Sequence, residues 1–382
     1  MGRPNSIRRR CSLLVVFVAV FALAACGNGD QGPAASSATP GRGDPSVEEL
    51  LDDTLPNGTS GTVIAARGGE ISYCKGFGLA DRAAKVAARC DTVYDTMSMT
   101  KQFTAAAILK LEMMGKLSVT DPMSKFVGPV TGEERAITLH HLLTHTAGLP
   151  EQLGDDYDVL SREEMLDAAL DARLRSTPGT EYHYSNLGYS ILAAIVEKAS
   201  GTSYEKFLAD HLFGPAGMTH TGYVLPEWEP DQVAVEYDEN GKPRGKPFDH
   251  PWAEDGPYWN LRGNGGLLST ARDMFRWHAA LRGDEVLSKS AKDKMFEPHV
   301  LEEEGGDTYY GYGWVVSTTD DGRIVWHDGG NGWSLGIVAR FVDQGVMVFW
   351  VSNQAYKDGE WNLEELEQEL TLGIAERVLD SD

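Results

Sequence analysis

Ser98-Met-Thr-Lys101 sets a hydroxyl and an ammonium three residues apart, and on a helical turn two side chains at that spacing share a face. A serine hydroxyl is a weak nucleophile until a neighbour takes its proton, which a lysine that is desolvated or set among other cations can do. Such a pair supports acyl transfer: attack on an ester or amide carbonyl, with the oxyanion held by backbone N–H groups at a helix start. The spacing alone carries little weight, because Ser72…Lys75 and Ser203…Lys206 repeat it. The first pair lies in a strand-like run, where its side chains would point to opposite faces. The second sits one turn into a later amphipathic helix and reads as a solvated face.

Two further groups could complete the chemistry. Tyr184-Ser-Asn186 lies between the turn Thr177-Pro-Gly-Thr180 and an apolar helix beginning near Gly188. A phenol and an amide two residues apart can project the same way, one for proton transfer and one for hydrogen bonding. Tyr258-Trp-Asn260 has the same letters but falls in a Pro/Trp-rich loop with no helix after it, and reads as a pocket wall. His327-Asp-Gly-Gly330 is near a late strand and precedes Asn331-Gly332. Glycines there let a substrate approach the backbone and leave an N–H to polarise a carbonyl.

These groups need a scaffold. Two apolar runs between Thr62 and Leu79 around Arg-Gly-Gly-Glu predict a β-hairpin. The stretch Phe103–Met114 predicts a long helix after Ser98, stopped by Gly115. Further helices are predicted over 139–145, 162–173, 189–199 and 204–213, and strands over 313–316, 323–326, 336–341 and 346–351, before an amphipathic helix over 363–379. Strands at both ends of a helical block imply one antiparallel sheet built from both termini, with an inserted helical subdomain.

Taken in order, S-x-x-K, Y-x-N and H-x-G resemble the signature of the serine β-lactamase and penicillin-binding-protein superfamily, in which the third element is K-T-G in many members. The stretches Ile137–Leu149, Pro178–Tyr189, Glu197–Gly201, Pro215–Met218 and Gly265–Asp273 are similar to its class C branch, which also contains D-Ala-D-Ala carboxypeptidases, D-aminopeptidases and esterases. The likeness runs from about Thr62 to Asn353. It implies an α+β, β-lactamase/transpeptidase-like fold, an antiparallel sheet flanked by helices with an all-helical subdomain and the site between them. It also implies roles: Ser98 as nucleophile, Lys101 with Tyr184 moving its proton, and Asn186 holding Lys101 and the substrate. The N–H groups of Ser98 and Gly330 would form the oxyanion hole, with Gly329 and Asp328 beside the substrate. His327 would tune the Tyr184 proton. The implied mechanism uses no metal and no organic cofactor.

Other readings compete. Gly332-Trp-Ser334-Leu-Gly336 matches G-x-S-x-G, but that elbow needs strand, tight turn and helix, and the residues after it are strand-like. His141 and His145 have a metal-compatible i, i+4 spacing without the glutamate of H-E-x-x-H, and the resemblance makes His145 part of a structural turn. A non-turnover lipoprotein that binds penicillin or peptidoglycan fragments is the alternative from another class.

Composition sets the outer limits. At 42% hydrophobic and 9% aromatic the chain is globular, and its net charge of −23 repels phosphate backbones, which argues against nucleic-acid partners. Arg8-Arg9-Arg10, thirteen apolar or small residues and Leu23-Ala-Ala-Cys26 resemble a lipoprotein signal; the apolar run is shorter than the roughly 20 residues a bilayer needs. Cleavage would remove four arginines, leaving −27, and place a lipid on Cys26; a plain secretory signal or an uncleaved anchor is the alternative. The expected organisation is a signal peptide over 1–25, a lipidated cysteine and Gly/Pro/Ser linker over 26–45, and one hydrolase domain over 46–382, on the outer face of a bacterial cytoplasmic membrane or in the periplasm. Cys74 and Cys90 then remain, and an even pair in an exported chain favours a disulfide over two buried thiols.

Asp328 bears on the substrate, a small molecule, peptide or ester. Where relatives carry a cation and a hydroxyl that attract a substrate carboxylate, this chain has His327 and an anion. The expectation is a preference for esters or carboxylate-free amides over β-lactams and D-Ala-D-Ala peptides, unless Asp328 turns away along its strand to pair with Arg262 or Arg340.

Overall fold

The computed structural model describes residues 45–381; the expected signal segment, Cys26 and nearly all of the linker lie outside them. Helix α1 (Pro45–Thr54) precedes the hairpin β1 (Gly61–Arg67) and β2 (Glu70–Phe77). Gly68 and Gly69 turn it at φ of 61° and 95°, which matches the twist of the flanking strands. Strand β3 (Val93–Asp95) runs through a 3₁₀ turn, Met97–Thr100, straight into α2 (Lys101–Met113). The helical block contains α3 (Leu139–Leu143), α4 (Arg162–Asp171), α5 (Asn186–Ser200) and α6 (Tyr204–Leu208). Strand β4 (Leu268–Thr270), which pairs with β3, leads into α7 (Ala271–Ala280). Then come β5 (Val300–Leu301), β6 (Thr308–Tyr310), β7 (Val315–Thr319), β8 (Gly322–Gly330), β9 (Leu335–Phe341), β10 (Val346–Ser352) and α8 (Glu367–Asp380).

The main sheet has the order β5-β6-β7-β8-β9-β10-β1-β2 and is antiparallel throughout, so the first hairpin closes on the last strand. Both termini build it, as the strand pattern predicts. Every residue of β9 and β10 is buried, which requires cover on both faces. In β10, Met347, Phe349 and Val351 join the core that holds Met274 and Trp277 of α7, whereas Trp350 donates its indole N–H to Thr371 Oγ1 of α8 at 3.0 Å. The two-residue period thus assigns α7 and α8 to opposite faces. Helix α2 is buried from Lys101 through Leu109, as fits a helix enclosed by protein.

Three details depart from the sequence reading. Helix α5 begins at Asn186, three residues before the predicted start, because Ser185 caps it: its Oγ accepts the Gly188 N–H at 3.0 Å. The predicted helix over 204–213 is α6 followed by a π-turn, Ala209–Phe213. The β3–β4 pair is only three residues per strand, too short for a periodicity to show. Cys74 of β2 and Cys90, just before β3, are bonded, with Cα atoms 5.9 Å apart.

Candidate active site

Ser98 lies in the 3₁₀ turn Met97–Thr100 and Lys101 opens α2 directly after it, so the two side chains, three residues apart, lie on one side. Lys101 is fully buried and its Nζ is hydrogen-bonded to Ser98 Oγ at 3.1 Å; it also donates to the Asn264 carbonyl at 2.8 Å. Met97, just before the serine, has φ of 47°, a left-handed conformation that is unfavourable for a side-chain-bearing residue. Its N–H donates to Asp95 Oδ1 at 2.6 Å.

The end of β8 lies directly on this turn. A Cβ at Gly329 would fall 2.8 Å from Ser98 N and 2.8 Å from Met97 Cβ, so only glycine fits. Gly330 follows and is exposed. The backbone N–H groups of Ser98 and Gly330 therefore belong to two segments in contact.

Tyr184 covers the lysine from a third side, with its ring centre 4.8 Å from Lys101 Nζ. It is held on both flanks by His145: the His183 N–H donates to the His145 carbonyl at 2.8 Å, and the Ser185 N–H to His145 Nδ1 at 3.0 Å. The His145 ring lies 4.3 Å from the Tyr184 ring, centre to centre. Asn186 is the first residue of α5, and its buried Oδ1 has no hydrogen-bond partner among the described residues.

His327 is 1% exposed, its ring centre 6.4 Å from that of Tyr184. Its Nδ1 is 2.6 Å from the Asp328 carbonyl oxygen, an acceptor only, so Nδ1 carries the proton. Nε2 is hydrogen-bonded to the Tyr310 hydroxyl at 3.0 Å; burial holds that phenol well above its usual pKa of 10. The Asp328 carboxylate is partly exposed, with Oδ1 4.0 Å from His327 Nδ1. Neither arginine considered for it is engaged there: Arg262 grips both oxygens of Asp255 at 2.7 and 2.8 Å, and Arg340 Nε donates to His278 Nδ1 at 3.2 Å.

The beta-lactamase family model matches residues 51–371. The chain belongs to this family. It is 32% identical over 339 residues to penicillin-binding protein 4* of Bacillus subtilis, an alignment covering 84% of this chain and 72% of that one. The octameric penicillin-binding protein homologue from Pyrococcus abyssi superposes with a TM-score of 0.71 at 26% identity, over 87% of this chain and 75% of that one. The D-amino acid amidase from Ochrobactrum anthropi SV3 shares the fold, with a TM-score of 0.74 at 22% identity over 89% and 99% of the two chains. This chain is thus a serine hydrolase of the β-lactamase and penicillin-binding-protein superfamily.

In this β-lactamase-family chain the competing motifs serve other ends. Ser334 donates its hydroxyl to Glu236 Oε1 at 2.8 Å and leads into a strand, not a helix. His141 Nδ1 accepts the Thr138 N–H at 3.4 Å in the cap of α3, while His145 Nδ1 is taken by Ser185. Lys75 pairs with Glu48, and Lys206 with Asp210. Asn260 Nδ2 donates to the Asp155 carbonyl. Sequence reasoning missed Asn264, Tyr310 and Asp156. Asn264 acts through its carbonyl, which no side-chain pattern can reveal; the run Gly263-Asn-Gly-Gly266 was the available signal. Asp156 is pushed up to about 6 by burial, then by Asp155, against the pull of Lys101.

Proposed function

We propose that this chain hydrolyses esters, or amides whose reacting end bears no carboxylate, through an acyl-enzyme on Ser98. The observation that carries the reading is Lys101 Nζ at 3.1 Å from Ser98 Oγ, in a turn pressed against Gly329. Ser98 Oγ attacks the carbonyl carbon, and Lys101 in its neutral form takes the hydroxyl proton. The Ser98 and Gly330 N–H groups hold the oxyanion. The proton passes by Lys101 and Tyr184 to the leaving group as its bond to carbon breaks. Water, deprotonated by the same pair, then releases the acid and restores the serine. Asn186 holds substrate beside Lys101, and His327, with Nδ1 on the Asp328 carbonyl, fixes the strand edge.

Asp328 supports the substrate class. A substrate carboxylate about 4 Å from it would be repelled by about 4 kcal/mol at an effective dielectric near 20, on the order of a thousandfold in affinity. Asp328 is partly exposed, and its carboxylate lies 4.0 Å from His327 Nδ1 at the end of β8. We further propose that the enzyme works outside the cytoplasmic membrane, tethered through a lipid on Cys26, a reading the bonded cysteines support.

The test compares kcat/KM for a p-nitrophenyl short-chain ester and nitrocefin in wild type and Asp328→Thr. Faster ester hydrolysis by the wild type, with a gain towards nitrocefin in the variant, is expected. Efficient wild-type nitrocefin hydrolysis would overturn the substrate class, and labelling of Ser98 without turnover of any substrate would convert the enzyme into a binder.

A further inference from the structure

The two oxyanion donors lie more than two hundred residues apart in the chain, yet a network of side chains joins them behind the site. Asp95 Oδ1 accepts the Met97 N–H, immediately before Ser98, at 2.6 Å. Asp95 Oδ2 accepts from Asn331 Nδ2, immediately after Gly330, at 3.3 Å. The same Asn331 nitrogen donates to Glu236 Oε1 at 2.7 Å, and that oxygen also takes the Ser334 hydroxyl at 2.8 Å. Asn331 Oδ1 in turn accepts the N–H groups of Trp333 and Ser334 at 3.0 and 2.8 Å, closing the β8–β9 loop.

Two carboxyl groups sharing one amide nitrogen are close, and both are buried, at 5% and 2% exposure. Like charges so placed disfavour double ionisation. Among the described residues no lysine or arginine pairs with either carboxyl: His250 Nε2 is 3.8 Å from Glu236 Oε2 and its ring is stacked on Tyr157 and Trp333, the Arg244 guanidinium packs over the Trp333 ring at 4.9 Å, and Asp155, Asp156 and the Tyr157 hydroxyl come from the loop opposite.

We propose that Asp95 and Glu236 are positioning residues that share one proton and, singly ionised, staple the Ser98 turn to the end of β8, so that a buried carboxyl pair sets the spacing of the two oxyanion donors. This rests on the acyl-enzyme reading. Loss of the shared proton puts two negative charges on one amide and loosens the staple, so the rate of acylation falls on the alkaline side. Burial, then the Glu236 charge, raises Asp95 to about 8, which places that loss in the mildly alkaline range.

Two variants separate geometry from charge. Asp95→Ala removes the acceptor for Met97 N–H; acylation by a p-nitrophenyl ester should slow by about tenfold to a hundredfold, the range for a slightly misplaced catalytic group, with KM changed little. Glu236→Gln keeps an acceptor for Asn331 and Ser334 but leaves one ionisable carboxyl, so the alkaline limb of kcat should move to higher pH. The infrared C=O stretch of a protonated carboxyl should be present in the wild type at neutral pH and lost in Glu236→Gln, a readout that stands even if Asp95→Ala does not fold. No such band in the wild type, an unmoved limb, or wild-type acylation in Asp95→Ala would overturn the proposal. Failure of Ser98 to label with a fluorophosphonate would instead sink the acyl-enzyme reading and leave the infrared result untouched.

Discussion

Gly329 touches the backbone nitrogen of Ser98 so closely that one added methyl would lie 2.8 Å from it. The contact leaves the turn no room to shift towards β8. We predict that Gly329→Ala displaces Ser98 and cuts the rate of fluorophosphonate labelling by about a hundredfold, while circular dichroism stays native. Labelling at the wild-type rate would show that the site does not depend on this approach.

Ser98→Ala should abolish both turnover and covalent labelling without unfolding the chain, since the lost oxygen is small and 9% of the residue is exposed. Ser334→Ala should still label, because its hydroxyl is bound to Glu236. The reverse pattern, read by mass spectrometry of the labelled protein, would move the nucleophile to Ser334.

The Cys74–Cys90 bond closes a loop across a sequence separation of 16, worth about 3 kcal/mol by loop-closure entropy. Denaturant titration with and without reductant should show a loss of that order. Two titratable thiols in the unreduced, denatured domain would refute the bond.

Stability should also depend on pH through buried groups. Burial first, then the charges of Arg340 and Arg282, lower His278 to about 2, and burial lowers His140 to about 4, from 6.5. Between those values the unfolded chain binds protons that the folded chain refuses, so both groups make stability fall as pH drops below 6.5. Asp95, raised from 3.8 to about 8, has the opposite slope: the unfolded state releases its proton first, and stability falls as pH rises across that window. Tm against pH should fall on the acid side in the wild type, and Glu236→Gln should flatten the decline above neutrality. An unchanged alkaline slope in that variant would detach the slope from the carboxyl pair.

Much of this protein was legible in its sequence, because covalent spacing fixes what lies near in the chain. Ser98 and Lys101 meet once the residues between them turn helically, a local event, and the Arg-Gly-Gly-Glu hairpin needs only its own turn chemistry. The unbroken apolar run of β10 announces a strand covered on both faces, since neighbouring side chains must point opposite ways. What the sequence could not supply is the partner across space. Asn264 holds Lys101 through a carbonyl that every residue type possesses. The Asp328 carbonyl and the Tyr310 hydroxyl hold the two ring nitrogens of His327 from separate segments. Arg262 and Arg340, plausible for Asp328 from charge alone, are taken by Asp255 and His278, because packing rather than charge decides which groups meet. Chain spacing set the proposed nucleophile beside its proposed base. Only the closure of the sheet, which lays β8 on the Ser98 turn, decided where the proposed oxyanion donors stand, because a contact between residues so far apart exists only once the intervening chain has folded.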